Sequence, residues 1–295
     1  MQQDLQSASL SDRLLAWPQL LLPTRWLSSL MCALTRWRWK PFKNAFIRIF
    51  MRMYRIDLDE ALIREATAFE SFNAFFTRAL LPESRPIDAN PSSVVSPVDG
   101  CISQLGVISQ RSILQAKGIS YTVDDLLAGL GDARALDNGT FCTIYLAPNN
   151  YHRIHMPMDG LLHEWNYVPG RLFSVNPATA RTLPGLFARN ERVGTWFDTP
   201  AGPFVMILVG ALFVGSMETV WAGQISPPHR RDGGSRHRPS PAVALTRGQE
   251  MGRFNMGSTV ILLGAPGLLS LDPTKAAGEA LRMGQAIGTL RPRSG

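Results

Sequence analysis

Residues 253–263 read RFNMGSTVILL, and the last six of them decide how the chain is built. Thr259 to Leu263 is a β-branched and aliphatic run that suits a buried strand. A Gly257–Ser258 pair stands directly before it, placing a residue without a side chain and a hydroxyl at the mouth of the strand. In an ordinary sheet such a pair is a bulge or a turn. The other reading is chemical, and it needs partners from elsewhere in the chain.

Working outward, the sequence from Val94 onward has one texture: short β-type runs punctuated by Gly, Pro, Asn and Asp. The runs predict strands over 94–96, 101–108, 140–146, 160–168, 192–198, 204–209, 211–221, 242–246 and 258–264. FVMILVGALFVG (204–215) is too short to span a bilayer and reads as buried strand. One short helix is expected at YTVDDLLAGL, with Thr122 as N-cap, Asp125 three residues on, and glycines 129 and 131 ending it. A second is expected within 177–189, interrupted by Pro184. Ahead of the strands, Phe69, Phe72, Phe75, Phe76 and Leu80 recur at three- and four-residue spacing, which predicts a helix within 57–88 that stops near Pro82. The expected class is α+β: amphipathic N-terminal helices, then a mainly antiparallel β barrel or sandwich. The expected division is a helical, membrane-associating region over 1–88 and a β-rich catalytic domain over 89–295.

Charge is distributed unevenly. The 295-residue chain carries 30 Lys/Arg against 23 Asp/Glu, a net charge of +7. Between Arg13 and Arg55 lie nine basic residues and no acidic one, interleaved with Trp17, Trp26, Trp37, Trp39, Phe42, Phe46 and Phe50. Basic residues mixed with bulky apolar ones suit a helix lying in a membrane interface, its cations meeting anionic lipid. A nucleic-acid arm carries fewer large aliphatics, so residues 13–56 are assigned to a membrane surface and not to nucleic acid. Pro18 and Pro23 break the most apolar stretch, and no run of about 20 apolar residues spans a bilayer. Cys32, Cys101 and Cys142 have no paired spacing, which suits a reducing compartment and neither disulfides nor a zinc site. The segment 227–241, PPHRRDGGSRHRPSP, has no apolar period and reads as a surface loop.

Three residue types in three places could do chemistry together. YHRIHMP (151–157) follows the turn signal APNN and holds His152, Arg153 and His155. Positions 152 and 155 fall on opposite faces of an extended strand, so the segment must bend if both serve one site. SPVDG (96–100) supplies Asp99, a turn residue when read alone. With Ser258, these are the parts of a nucleophile, a base and an orienting acid. No metal is expected, because no Cys or carboxylate cluster completes a ligand set around the histidines.

The residues also form an ordered series. FNAFFTRALLPESRPID, SPVDG, KGISYTVDDLLAG, YHRIHMP, GRLFSVNP, LFARNERV and GQEMGRFNMGST together resemble the phosphatidylserine decarboxylases, bacterial, membrane-associated and pyruvoyl-dependent, over roughly residues 40–265. The family's Leu-Gly-Ser-Thr stands here as Met256-Gly257-Ser258-Thr259, and 227–241 departs from a more apolar family stretch. The resemblance implies a proenzyme that cuts itself between Gly257 and Ser258, giving a β chain of 1–257 and an α chain of 258–295. It implies that Ser258 becomes a covalent pyruvoyl group. That group decarboxylates phosphatidylserine to phosphatidylethanolamine through a Schiff base, since no natural side chain offers so good an electron sink. It implies His155 as base with Asp99 holding its tautomer, and His152, or else His155, as the acid that reprotonates the carbanion. The implied assembly is an α/β heterodimer, alone or paired with a second, peripheral on the cytoplasmic side of the cell membrane.

Overall fold

The computed structural model describes residues 9–213, 216–226 and 236–291. Four helices come first: α1 (Leu10–Ala16), α2 (Pro18–Leu21), α3 (Thr24–Arg36) and α4 (Lys40–Tyr54). Ser9 starts α1 with a capping box closed by Asp12, and α4 stops at Arg55 in the left-handed region (φ 53°). The α1–α2 corner is fastened to the β-rich part. Arg181 reaches both oxygens of Asp12 at 2.9 and 3.0 Å, and Gln19 Oε1 accepts the Ser174 N–H at 2.8 Å.

The helix expected within 57–88 shrinks to α5, Phe72–Phe76. Ser71 accepts the Ala74 N–H and fixes its start, while the Thr77 hydroxyl turns back onto Asn73 O at 2.9 Å and closes it. The aromatic spacing reflects convergence on α4: Phe72, Phe75 and Phe76 all lie with ring centroids 5.0–6.3 Å from Phe50. Phe69 joins the same cluster from outside the helix, 5.6 Å from Phe75. The Thr122-capped helix is present as Val123–Leu127, but Ala128, at φ 48°, ends it instead of a glycine. Two short helices, Pro177–Thr182 and Leu186–Arg189, flank Pro184.

The strands form open antiparallel sheets, so the α+β class holds and no barrel closes among the described residues. In the largest sheet the order is 236–237, 160–168, 192–199, 202–209, 259–264, 140–145, 100–107 and 280–281, with 243–245 also pairing 160–168. A smaller sheet sets Gly223–Ser226, Met217–Thr219, Glu250–Phe254 and Arg153–His155 side by side. Of the strand expected over 211–221, residues 214 and 215 lie outside the described residues, and among the described ones Met217–Thr219 is strand. Of the 227–241 loop, residues 227–235 lie outside the described residues, while Arg236–His237 pairs with Trp165 and Asn166. Among the described residues no helix is long and apolar enough to cross a membrane.

The RFNMGSTVILL stretch lies where the two sheets meet. Arg253 and Phe254 end a strand of the smaller sheet, and Thr259–Gly264 is an interior strand of the larger one. All six residues of that interior strand are buried, and each pairs on both sides, with Thr140–Tyr145 and with Phe204–Val209. Burying each of its large aliphatic side chains contributes about 1.5–3 kcal/mol. Residues 255–258 are thus a short crossing between two anchored strands.

Candidate active site

The crossing is held at both ends. The Asn255 N–H donates to Ser216 O at 2.9 Å, and its side-chain amide donates to Glu218 at 2.8 Å and to the Ser216 hydroxyl. Asn73 of α5 donates to Asn255 Oδ1 at 3.1 Å. At the other end Ser258 O accepts the Leu146 N–H at 2.9 Å. Between these ties Ser258 is completely buried, and its Oγ has no hydrogen-bond partner. An unmade hydrogen bond on a buried hydroxyl costs about 1–3 kcal/mol and calls for a reason.

A cavity of about 150 Å³ opens beside it, lined by Phe50 and Tyr54 of α4, Phe76 of α5, Ser174, Met256 and Gly257. The N-terminal helices therefore supply one wall of the serine's own cavity. Gly257 is not among the residues with positive φ, so the left-handed freedom of glycine is not what the position uses. Its missing side chain leaves room instead: a Cβ there would lie 3.5 Å from His152 Nε2 and 3.6 Å from Leu146 O.

His152 precedes the Arg153–His155 strand, after a turn in which Asn150 Oδ1 takes the Ala147 N–H at 2.7 Å. Its Nδ1 lies 2.8 Å from Asn150 O. A carbonyl only accepts, so Nδ1 carries the hydrogen and Nε2 presents a lone pair. That nitrogen is buried and unpartnered, and the ring packs on Phe76 with centroids 4.1 Å apart. Burial, reinforced by the charge of Arg78, pushes the His152 pKa down to about 3 against the Asn150 hydrogen bond, so the ring is neutral at pH 7.

His155 is differently placed. Its Nδ1 donates to Gly248 O at 2.8 Å, and its Nε2 accepts from the Tyr151 hydroxyl at 3.1 Å. Burial lowers its pKa as well. Asp99 does not hold this tautomer, contrary to the expectation from sequence, because Gly248 O occupies the nitrogen that the aspartate was to engage. The Asp99 carboxylate is gripped by Arg85 through Nε at 2.8 Å and Nη2 at 2.5 Å, and it accepts the Met283 N–H at 2.8 Å. The two segments still run together, since His155 N–H donates to Pro97 O at 2.9 Å.

Two further polar side chains have partners of their own. Arg153 is engaged by Thr77 O and Glu250, both at 2.9 Å. His163 pairs with Asp198 at 3.0 Å on the exposed side. Among the described residues no group of three or more His, Cys, Asp or Glu could hold a metal, and the three cysteines are free. Sequence reasoning noted Tyr151 beside the histidines without giving it a partner, and missed Arg85, Asn255 and the cavity wall from Phe50 and Tyr54. The RPID and YHRIHMP segments held Arg85 and Tyr151 in plain sight, but not whom they would touch.

A buried, unpartnered serine hydroxyl thus lies between two sheets, with a neutral imidazole facing the preceding glycine. The family model described as phosphatidylserine decarboxylase matches residues 72–289, and a second, described as PSD, matches 14–55. The chain is 52% identical over 289 residues to the phosphatidylserine decarboxylase proenzyme of Nitrosococcus oceani, covering 95% of this chain and 92% of that one. It is 48% identical over 288 residues to that of Pseudomonas fluorescens (97% and 100% covered) and 49% over 283 residues to that of Azotobacter vinelandii (95% and 99% covered). The chain belongs to the phosphatidylserine decarboxylase family.

Proposed function

We propose that the chain decarboxylates phosphatidylserine to phosphatidylethanolamine and CO2 after cutting itself between Gly257 and Ser258. Family membership supports the reaction. The observation that carries the self-cleavage is the orphaned Ser258 Oγ beside a glycine whose open side faces His152 Nε2.

In this reading Ser258 Oγ attacks the Gly257 carbonyl carbon, the C–N bond breaks, and the Ser258 nitrogen takes up the proton, leaving an ester. Removal of the Ser258 Cα hydrogen then breaks the Cβ–Oγ bond and frees Gly257 as a carboxylate. Water replaces the nitrogen, ammonia leaves, and the new N-terminus of the 258–295 chain is a pyruvoyl ketone. The site fits that group: the carbon skeleton of Ser258 already borders the cavity, and the Oγ that departs has no hydrogen bond to lose. A pyruvoyl ketone supplies the electron sink that breaking the substrate's C–C bond requires.

The chain's own residues do the rest. A serine hydroxyl needs a base, and neutral His155 takes that role, with Asp99 positioning it through the shared 96–99 and 151–155 segments. His152 returns a proton at the reacting carbon. Its depressed pKa means that it must first gain a proton, which an anionic substrate in the cavity favours by charge. Phe50, Tyr54 and Phe76 keep water from the reacting atoms.

Residues 1–88 form the membrane-associating part of this reading and 89–295 the catalytic part. Support comes from exposed apolar side chains on the helices, including Leu21 (91% exposed), Trp26 (66%) and Trp39 (58%). Because α4 carries Ile49 and Met53 outward and Phe50 toward the cavity, one helix connects the lipid surface to the serine. The protein is then peripheral on the cytoplasmic face, and the cleaved chains stay together as an α/β heterodimer.

Intact mass, combined with assay of phosphatidylserine vesicles, tests the whole reading. Two chains split at Gly257–Ser258, the smaller one blocked at its N-terminus, are expected in active protein, and Ser258→Ala stays whole and inactive. Activity from a single uncut 32.6 kDa chain would overturn it.

A further inference from the structure

Behind the turn that carries His152 lies a second, polar cavity of about 230 Å³, bordered by Arg55, Arg78, Asn149, Asn150 and Tyr151. Arg78 is only 8% exposed. Of its five N–H groups the guanidinium commits one, through Nη2, to Asn149 O at a long 3.4 Å, and Nη1 has no partner. Its remaining support is the face of Phe75, 5.5 Å from Cζ. Asp57, Glu60 and Asp99 also border the cavity, but none forms an ion pair with Arg78. Arg85 engages Glu60 and Asp99, and Arg282 engages Glu60 from the other side.

A buried cation without a partnering anion is costly, and a guanidinium fork matches the oxygens of phosphate. We propose that this cavity is an oxyanion-binding subsite in which Arg78 takes a phosphate group. The proposal deepens the decarboxylase reading and rests on it in one respect, the source of that phosphate: the headgroup diester of the lipid substrate, or free phosphate. The location gives the subsite a consequence for His152. Asn150, on the cavity border, holds His152 Nδ1, and the charge of Arg78 is one cause of that ring's low proton affinity. An anion on Arg78 cancels this charge and makes His152 easier to protonate when the site is filled.

The test uses the full-length Ser258→Ala protein and inorganic phosphate as probe, followed by calorimetry and 31P NMR. Phosphate is expected to bind at about millimolar strength. Arg78→Gln should weaken it roughly tenfold or more. The imidazole resonance of His152 should titrate at higher pH with phosphate present, and Arg78→Gln alone should produce part of that rise. Should Arg78→Gln fail to fold, Arg78→Lys, which keeps the charge and loses the fork, decides by the same weakening at an unchanged melting temperature. Undetectable phosphate binding, or equal binding by the folded Arg78 variant, overturns the proposal.

The mature enzyme divides the sources. Competitive inhibition of short-chain phosphatidylserine turnover by phosphate supports the site as the headgroup's, and non-competitive inhibition supports it as a site for free phosphate. If the mature chain binds phosphate yet does not decarboxylate phosphatidylserine, the reaction assignment fails while the subsite stands.

Discussion

His152 Nε2 lies 3.5 Å from the point that a Cβ on Gly257 would occupy, and it makes no hydrogen bond of its own. His155, three residues on, has both ring nitrogens engaged. The two histidines therefore differ in what they can do without rearrangement, and single substitutions separate them. His152→Ala is expected to cleave but to lose decarboxylation by 10²-fold or more, the usual scale for a lost proton-transfer group. His155→Ala is expected to stay uncut. Gel analysis of processing beside CO2 release reads both, and the reverse pattern exchanges the two roles.

Glycine at 257 is a matter of space. Its φ is ordinary, and an added methyl meets only contacts of 3.5 and 3.6 Å, which are normal van der Waals distances. Gly257→Ala should fold with its melting temperature nearly unchanged. It should also cleave more slowly, because the methyl crowds the carbonyl that Ser258 Oγ must reach. A variant that cleaves at the wild-type rate shows that open space at 257 is not needed for processing.

The buried neutral imidazole makes stability depend on pH with a definite sign. The folded pKa of His152 is lowered to about 3 from 6.5, so between those values the unfolded chain binds more protons than the folded one. The stability this group allows is complete above pH 6.5 and drains away as the pH falls toward 3, roughly 5 kcal/mol at full extent. Urea unfolding of the Ser258→Ala protein from pH 7.5 to 4.5 should show this loss. His152→Gln, which cannot titrate, should flatten the curve, and an equally steep curve would place the titration elsewhere.

Asp99 works through a clasp. With Arg85 and Asp99 only 9% and 8% exposed, removal of Arg85 leaves the Asp99 charge with the Met283 N–H alone, a loss of about 3–5 kcal/mol, whereas removal of Asp99 leaves Arg85 still paired with Glu60. Arg85→Met should therefore be more destabilised than Asp99→Ala, and both should be slow to process. Their double variant should cost less than the sum of the two. Additive losses in denaturant midpoints would show that the pair is not a unit.

The exposed aromatic and aliphatic residues of the first helices give a surface test. Trp26→Ser with Trp39→Ser should weaken sedimentation with anionic vesicles by about tenfold, while soluble short-chain substrate is turned over normally. Unchanged sedimentation moves the membrane contact off α3 and α4.

The sequence made some of this legible. The 202–209 and 259–264 strands were readable because a run buried on both faces needs unbroken apolar residues, and Thr122 announced its helix through a local cap. Aromatic spacing at 69–80 misled, because a five-residue helix plus turns packed on Phe50 has the same periodicity as a long helix. The 112–116 and 119–122 hairpin went unseen, its reversal depending on Gly118 at φ 74° within a run of ordinary strand residues. At the site, residue types and neighbours in sequence named Ser258 and both histidines. The partners that fix them, Gly248 O for His155 and Arg85 for Asp99, lie 93 and 14 residues away, and one is backbone, so no pattern of side chains could disclose them.

The interior position of Thr259–Gly264 has one more consequence. In the uncut chain, forming that strand is a search within a single molecule. In the two-chain form proposed above, both neighbouring strands would belong to a different polypeptide, and the same pairing would become an encounter between two molecules. Recovery from denaturation then depends on protein concentration, and the short chain must enter between strands that have no other reason to stay apart. The uncut chain would then carry the instructions for assembly, and a cut enzyme would owe its persistence to slow unfolding.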